Sequence, residues 1–135
     1  MFNHYIEVGS GLESLGLMNQ ENVEIVAAYQ EPRAFMTILR LLSTVGMHNQ
    51  DNFNAIDSYT NLQDLLLAVA ALASNGMLDQ HNFDSLMAHD EIFNYSSMAG
   101  AIYGLAQNQI LNQENFNILN LHTDYFELFG HARAI

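Results

Sequence analysis

One phrase recurs four times along this chain of 135 residues: LMNQENVEIV from Leu17, MHNQDNFNAI from Met47, MLDQHNFDSL from Met77 and ILNQENFNIL from Ile110. The steps between Gln20, Gln50, Gln80 and Gln113 are 30, 30 and 33 residues. That is the size of one supersecondary unit, too small to bury its apolar face alone and stable only when stacked on copies of itself. The repeat therefore predicts an all-α fold, a short right-handed solenoid of about four helix-turn-helix repeats of 30–33 residues. One domain is expected over residues 1–135, with a half-unit over 1–16 and repeats beginning near 17, 47, 77 and 110. A hydrophobic content of 50% and a single proline suit one packed core rather than disorder.

Each repeat reads as a helical hairpin. Before the repeat glutamine stands Asn19, Asn49, Asp79 or Asn112, whose side-chain oxygen accepts from the exposed N–H groups of a first helical turn, so a helix is expected to begin at each. Three positions after the cap, where a capping box carries Glu or Gln, stands Asn22, Asn52, Asn82 or Asn115; the shorter amide either reaches back to the cap or bonds a neighbouring repeat. Glu21, Asp51 and Glu114 suit the positive end of the helix dipole. Val23, Phe53, Phe83 and Phe116, each followed three residues later by Val26, Ile56, Leu86 or Leu119, share one helix face and are the expected core. Tyr29, Tyr59, His89 and His122 close these helices with one ring per repeat in the same register, a row that reads either as a binding stripe or as the margin of the core.

Gly16, Gly46 and Gly76 mark left-handed helix ends, with Asn108 expected in that role in the fourth unit, and Leu12, Leu42, Leu72 and Leu105 precede the ends at a fixed offset. Second helices are expected at about 33–45, 62–75 and 97–108, with half-units over 2–15 and 125–134, about eight or nine helices in all. DLLLAVAALA, from Asp64 to Ala73, is apolar nearly all round and is expected to be buried on several sides. Gly100 and Gly104 would allow close helix contact.

The charge balance narrows the function. Fifteen acidic residues face only Arg33, Arg40 and Arg133, a formal net charge of −12 at pH 7. A nucleic-acid binder needs the opposite sign to displace phosphate counterions, so direct nucleic-acid binding is not expected. Lysine is absent, which denies ubiquitin ligases a side-chain amine and suits work in a eukaryotic cytosol. The longest apolar stretch, Leu65 to Ala73, is well short of the ~20 residues of a membrane helix. MFNHYIEVGS has no basic region ahead of an apolar run. A soluble protein with no membrane contact and no cleaved export signal is expected. Without cysteine there are no disulfides and no thiolate metal sites; Asn94-Tyr95-Ser96 fits a glycosylation sequon but has no secretory context.

The order of cap, Gln-x-Asn-Phe, short helix ending in Ala-His and second helix ending in Gly-Leu resembles the helical repeats of secreted effector proteins of Legionella and related intracellular bacteria. The stretch NFDSLMAHDEIFNYSSMAGAIYGLAQNQILNQENFNIL, from Asn82 to Leu119, carries it best, and the resemblance extends from about Leu12 to His122. The chain departs from that pattern in placing Asn or Asp where Thr is frequent at the cap, and in having Pro32 as its only proline. The resemblance implies a scaffold or interaction role after secretion into the host cytosol; it transfers no catalytic motif.

The residues themselves point the same way. No phosphate-binding glycine loop, nucleophile elbow or H-E-x-x-H is present, so no catalytic residue and no cofactor is assigned and an enzyme is not expected. Six histidines raise the question of a metal. His81 and His89 are two helical turns apart, about 12 Å, too far for one ion; His89 and His122, near Asp90 and Asp124, share a register, but no metal is assigned. Asp79-Gln80-His81-Asn82 lacks the glycine and terminal glutamate of a calcium loop.

The leading expectation is a non-enzymatic protein-protein interaction module whose acidic surface selects a protein partner with a basic patch. The partner-binding residues are taken to be the ring row Tyr29, Tyr59, His89 and His122, together with Glu24, Asp57 and Asp84 on the first helices. One alternative is an acidic decoy of nucleic acid, which needs regular rows of carboxylates; here they scatter, with Glu21, Glu24 and Glu31 the densest group. Others are an enzyme with a cleft of converging Asp, His and Tyr, and a self-associating homo-oligomer using Phe126, Leu128 and Phe129.

Overall fold

The computed structural model describes residues 2–59, 61–88 and 98–120. Among these it contains eight helices and no strand: α1 (Phe2–Ser14), α2 (Gln20–Ala27), α3 (Pro32–Ser43), α4 (Gln50–Ser58), α5 (Leu62–Ser74), α6 (Gln80–Met87), α7 (Met98–Gln107) and α8 (Gln113–Asn120). The chain divides into two compact units, Met1–Ser58 with α1 to α4 and Tyr59–Ile135 with α5 to α8. The expected half-unit over 125–134 lies outside the described residues. Among the described residues no helix is long and apolar enough to cross a membrane.

Helix starts are set locally. The side-chain oxygens of Asn19, Asn49, Asp79 and Asn112 accept from the main-chain N–H of Asn22, Asn52, Asn82 and Asn115 at 2.7, 2.9, 2.8 and 2.8 Å. Helices α2, α4, α6 and α8 thus begin where a short polar acceptor meets a first-turn N–H that has no partner in its own helix. The helices between them open by other means. Pro32 heads α3, where a missing N–H is no loss. Asn61 caps α5 by accepting from the N–H groups of Gln63 and Asp64 at 3.0 and 3.2 Å.

Helix ends repeat even more closely. Leu17, Met47, Met77 and Ile110 donate their N–H to the carbonyls of Leu12, Leu42, Leu72 and Leu105 at 2.9, 2.9, 2.8 and 2.9 Å. One residue inside, Gly16, Gly46, Gly76 and Gln109 donate to Glu13, Ser43, Ala73 and Ala106 at 3.1, 3.2, 3.1 and 3.0 Å. This double closure is the Schellman turn, and it explains the fixed offset of the leucines: their carbonyls are the acceptors, and an apolar residue is favoured at that place in such a turn. The left-handed residue has φ of 73°, 74° and 68° at Gly16, Gly46 and Gly76 and 61° at Gln109. The expectation that Asn108 fills this place is therefore corrected to Gln109, which stands four residues before Gln113 as the glycines stand before their glutamines. Asn108 instead donates its side-chain amide to the Gly104 carbonyl at 2.8 Å. Replacing Gln109 by glycine is expected to stabilise the protein by about 1 kcal/mol, because a Cβ is strained at positive φ. Urea unfolding measures this, and a loss of stability would show that the Gln109 side chain makes a contribution larger than the strain.

In the first unit α1 packs on α2 and α3, and α2 on α3. Leu12, Phe35, Ile38, Leu39, Phe53 and Ile56 are fully buried at its centre. The rings of Phe35 and Phe53 lie 4.8 Å apart at 49°, and Tyr29 lies 5.4 Å from Phe35 at 57°, the tilted geometry that aromatic quadrupoles favour. A Cβ at Gly11 on α1 would come within 2.7 Å of Met36 Cε on α3, the flexible end of a side chain that can move aside.

In the second unit α5 makes its most extensive contact with α7, and α7 also packs on α8. Leu65, Ala68, Val69 and Leu72 are fully buried, whereas Leu67 is 38% exposed; α5 is thus covered over a wide face but keeps one line towards solvent. Gly100 and Gly104 are both buried on α7, the helix in this close contact. The expected first-helix core holds in both units: each of those positions is buried except Val23, which is half-buried.

Candidate functional site

The repeat asparagines tie one helix to the next. Asn22, Asn52, Asn82 and Asn115 donate Nδ2 to the main-chain carbonyls of Leu17, Met47, Met77 and Ile110 at 2.8, 2.7, 2.8 and 2.7 Å. Those carbonyls belong to the residues whose N–H groups close the Schellman turns. One side chain therefore joins the end of one helix to the start of the following one.

Two of these amides also reach into the next repeat. Asn22 Nδ2 donates to Gln50 Oε1 at 2.8 Å and Gln50 Nε2 returns to Asn22 Oδ1 at 3.1 Å. In the second unit Asn82 and Gln113 exchange the same pair of bonds, both at 2.9 Å. Each glutamine is steadied by its own helix: Gln20, Gln50, Gln80 and Gln113 donate Nε2 to Glu24, Asn54, Asp84 and Asn117 at 3.2, 2.9, 2.7 and 2.8 Å. Of the two readings of the asparagine, Asn22 and Asn82 thus follow the bond to a neighbouring repeat. The matching role of the glutamine is signalled in the sequence only by its presence at every repeat, in a first-turn position that tolerates many residues.

Tyr29 and Asp57 form a second inter-repeat contact in the first unit. The Tyr29 hydroxyl lies 2.5 Å from Asp57 Oδ1, to which it donates, and 3.1 Å from the Asp57 main-chain oxygen. Burial, the hydrogen bond to Asp57 and the charge of Asp57, in that order, push the Tyr29 pKa well above its ordinary 10.0. A raised folded-state pKa means that stability is fully present below pH 10 and falls as pH rises beyond it, because the unfolded chain loses the proton first. The stability advantage of the parent over Tyr29→Phe in urea is expected to shrink between pH 8 and pH 11; a constant difference would mean that the phenol proton is not held by Asp57.

Along α1 and α3 runs a groove of about 380 Å³, lined by Glu7, Glu31, Arg33, Thr37 and Arg40 over Met36. Arg33 Nε lies 3.5 Å from Glu7 Oε1, but their side chains are 84% and 55% exposed, so water and salt screen the pair. Two arginines against two glutamates give this groove no net charge to attract an ion. Among the described residues no three His, Asp or Glu side chains gather as a metal site. His48, where the other repeats carry Met18, Leu78 and Leu111, buries an Nδ1 that has no hydrogen-bond partner among the described residues.

The residues expected to meet a partner are placed unequally. Glu24 and Asp84 are exposed and share a register, each accepting from the glutamine four residues before it. Asp57 is exposed but engaged by Tyr29, which is half-buried. Tyr59, taken as a partner-binding residue, is only 4% exposed, which fits the core-margin reading of the ring row and not the binding stripe; a phenol ring is mostly apolar, and burying its body is favourable. His89 and His122 lie outside the described residues. Compared with protein families, curated proteins and solved structures, the chain shows no match.

Proposed function

We propose that this chain is a non-enzymatic protein-interaction module, a short right-handed solenoid of about four helix-turn-helix repeats that holds a protein partner bearing a basic patch. The observation that carries the reading is the fixing of exposed carboxylates by repeat-specific bonds: Gln20 to Glu24, Gln80 to Asp84 and Tyr29 to Asp57. Carboxylates held in one geometry lose less rotamer freedom on binding and give a partner a defined pattern of charge. The stacking itself is supported by the Asn–Gln exchange, which has the same form in both units. The resemblance to Legionella effector repeats makes a host protein in the host cytosol the target of this reading.

The test uses the triple variant Glu24→Gln, Asp57→Asn and Asp84→Asn. Its amides keep acceptors for Gln20, Tyr29 and Gln80, as Asn54 and Asn117 do in the parent, while three charges disappear. Affinity capture from eukaryotic lysate, at low and moderate salt, is expected to retain basic proteins on the parent in a salt-sensitive way and to lose them on the variant. Equal retention by both chains would move the binding surface elsewhere.

A further inference from the structure

At Gln20 and at Asn115 one atom of the repeat amide has no partner among the described residues. Inside each unit the pair consists of an asparagine that donates to a glutamine Oε1 and accepts from its Nε2. Gln20, the first repeat glutamine, is held by Glu24 at 3.2 Å just as Gln50 and Gln113 are held by Asn54 and Asn117, yet its Oε1 has no partner among the described residues. Asn115, the last repeat asparagine, is fixed to the Ile110 carbonyl at 2.7 Å, and its Oδ1 has no partner among the described residues. Gln20 therefore lacks what Asn115 offers, and Asn115 lacks what Gln20 offers.

Burial marks the same two ends independently. Asn22, Asn52 and Asn82 are 2%, 4% and 0% exposed, whereas Asn115 is only half-buried. Two residues ahead of the glutamine, Leu78 and Leu111 are each 6% exposed, whereas Met18 at the same place is 52% exposed. Ile118, five residues after Gln113, is 38% exposed, while Ile25, Ala55 and Ser85 at that register are half-buried. Met18 and Ile118, each within three residues of one of these amides, are thus both more than a third exposed.

We propose that a second copy of this chain fills these ends, head to tail: Asn115 of one copy exchanges two hydrogen bonds with Gln20 of the next, with Ile118 and Met18 brought under cover at the junction. The contact continues an interface that the chain already makes with itself, which is why the occupant is a copy rather than an unrelated protein. It rests on the repeat contacts and not on the binding of a basic partner. Because the two surfaces differ, the contact is heterologous: a dimer keeps one free end of each kind, and growth does not stop at two. Exposed amides compete with water, so the pair sets register while the apolar cover supplies affinity.

Sedimentation of the full chain over a wide concentration series tests this. The mass is expected to rise from the 15.2 kDa of one chain past that of a dimer. Gln20→Ala, an exposed truncation that leaves circular dichroism unchanged, is expected to remain monomeric, and so is Asn115→Ala. Mixing the two variants leaves one good end on each and is expected to restore a one-to-one dimer that grows no further. A parent that stays monomeric, or a Gln20→Ala chain that associates as the parent does, overturns the proposal, as does a monomeric mixture of two folded variants. If Asn115→Ala fails to fold, the comparison of parent with Gln20→Ala decides alone.

Discussion

Replacing Phe53 by alanine is expected to cost about 3–5 kcal/mol and to leave the first unit largely unfolded in mild urea. The ring is fully buried, lies 4.8 Å from that of Phe35, and through Phe35 is linked to Tyr29 at 5.4 Å. Removing it deletes apolar contact and leaves a cavity that α3 and α4 cannot close without moving their own buried side chains. The chain has no tryptophan, so far-ultraviolet circular dichroism and tyrosine fluorescence are the signals to follow. A cost below about 1 kcal/mol would mean that the aromatic cluster is not the centre of this unit.

The second large effect concerns a polar residue. Asn82→Ala is expected to cost about 2–3 kcal/mol, because Asn82 is 0% exposed and its loss strands the Met77 carbonyl and the facing amide of Gln113. A double-mutant cycle with Gln113→Ala is expected to show a coupling of about 0.5–3 kcal/mol. At concentrations low enough to keep the chain monomeric, Asn115→Ala supplies an internal control: within the chain it gives up only the bond to Ile110 and is expected to cost less than Asn82→Ala. Equal costs for the two, or no coupling between Asn82 and Gln113, would reduce the inter-repeat pair to a surface contact.

The two effects differ in how far they could be foreseen. Phe53 is legible from spacing alone, since an apolar residue three places after every repeat glutamine, with another three further on, can only mark the buried face of a helix. Asn82 reads first as part of a cap, and its main-chain N–H does donate to the capping oxygen of Asp79 at 2.8 Å. Its side chain does something else, and only the position of Gln113 in space shows it. Residue preference alone puts the left-handed residue of the fourth turn at Asn108, because asparagine tolerates positive φ better than glutamine does, whereas the structure has it at Gln109. The turn is counted from the helix that follows, and that constraint outweighs the preference of a single residue.

The candidate surface divides along the same line. Glu24 and Asp84 share a register that is visible in the sequence, and a helix carries that register outward without help from the rest of the fold. Tyr29 and Asp57 are 28 residues apart, and nothing in their spacing says that one hydroxyl will meet one carboxylate. Tyr29 and Tyr59 occupy the same repeat position, yet one is half-buried and the other 4% exposed.

The sequence by itself determined the helices, the caps of the four repeat helices, three of the four left-handed ends and the face each of those helices buries, because these depend on contacts within about five residues and are written again in the repeats. The tertiary structure alone decided which amides exchange bonds, which ring is covered and which repeat positions stay open. Those outcomes depend on what stands beyond a side chain, and a position that recurs in the sequence does not recur with the same neighbours.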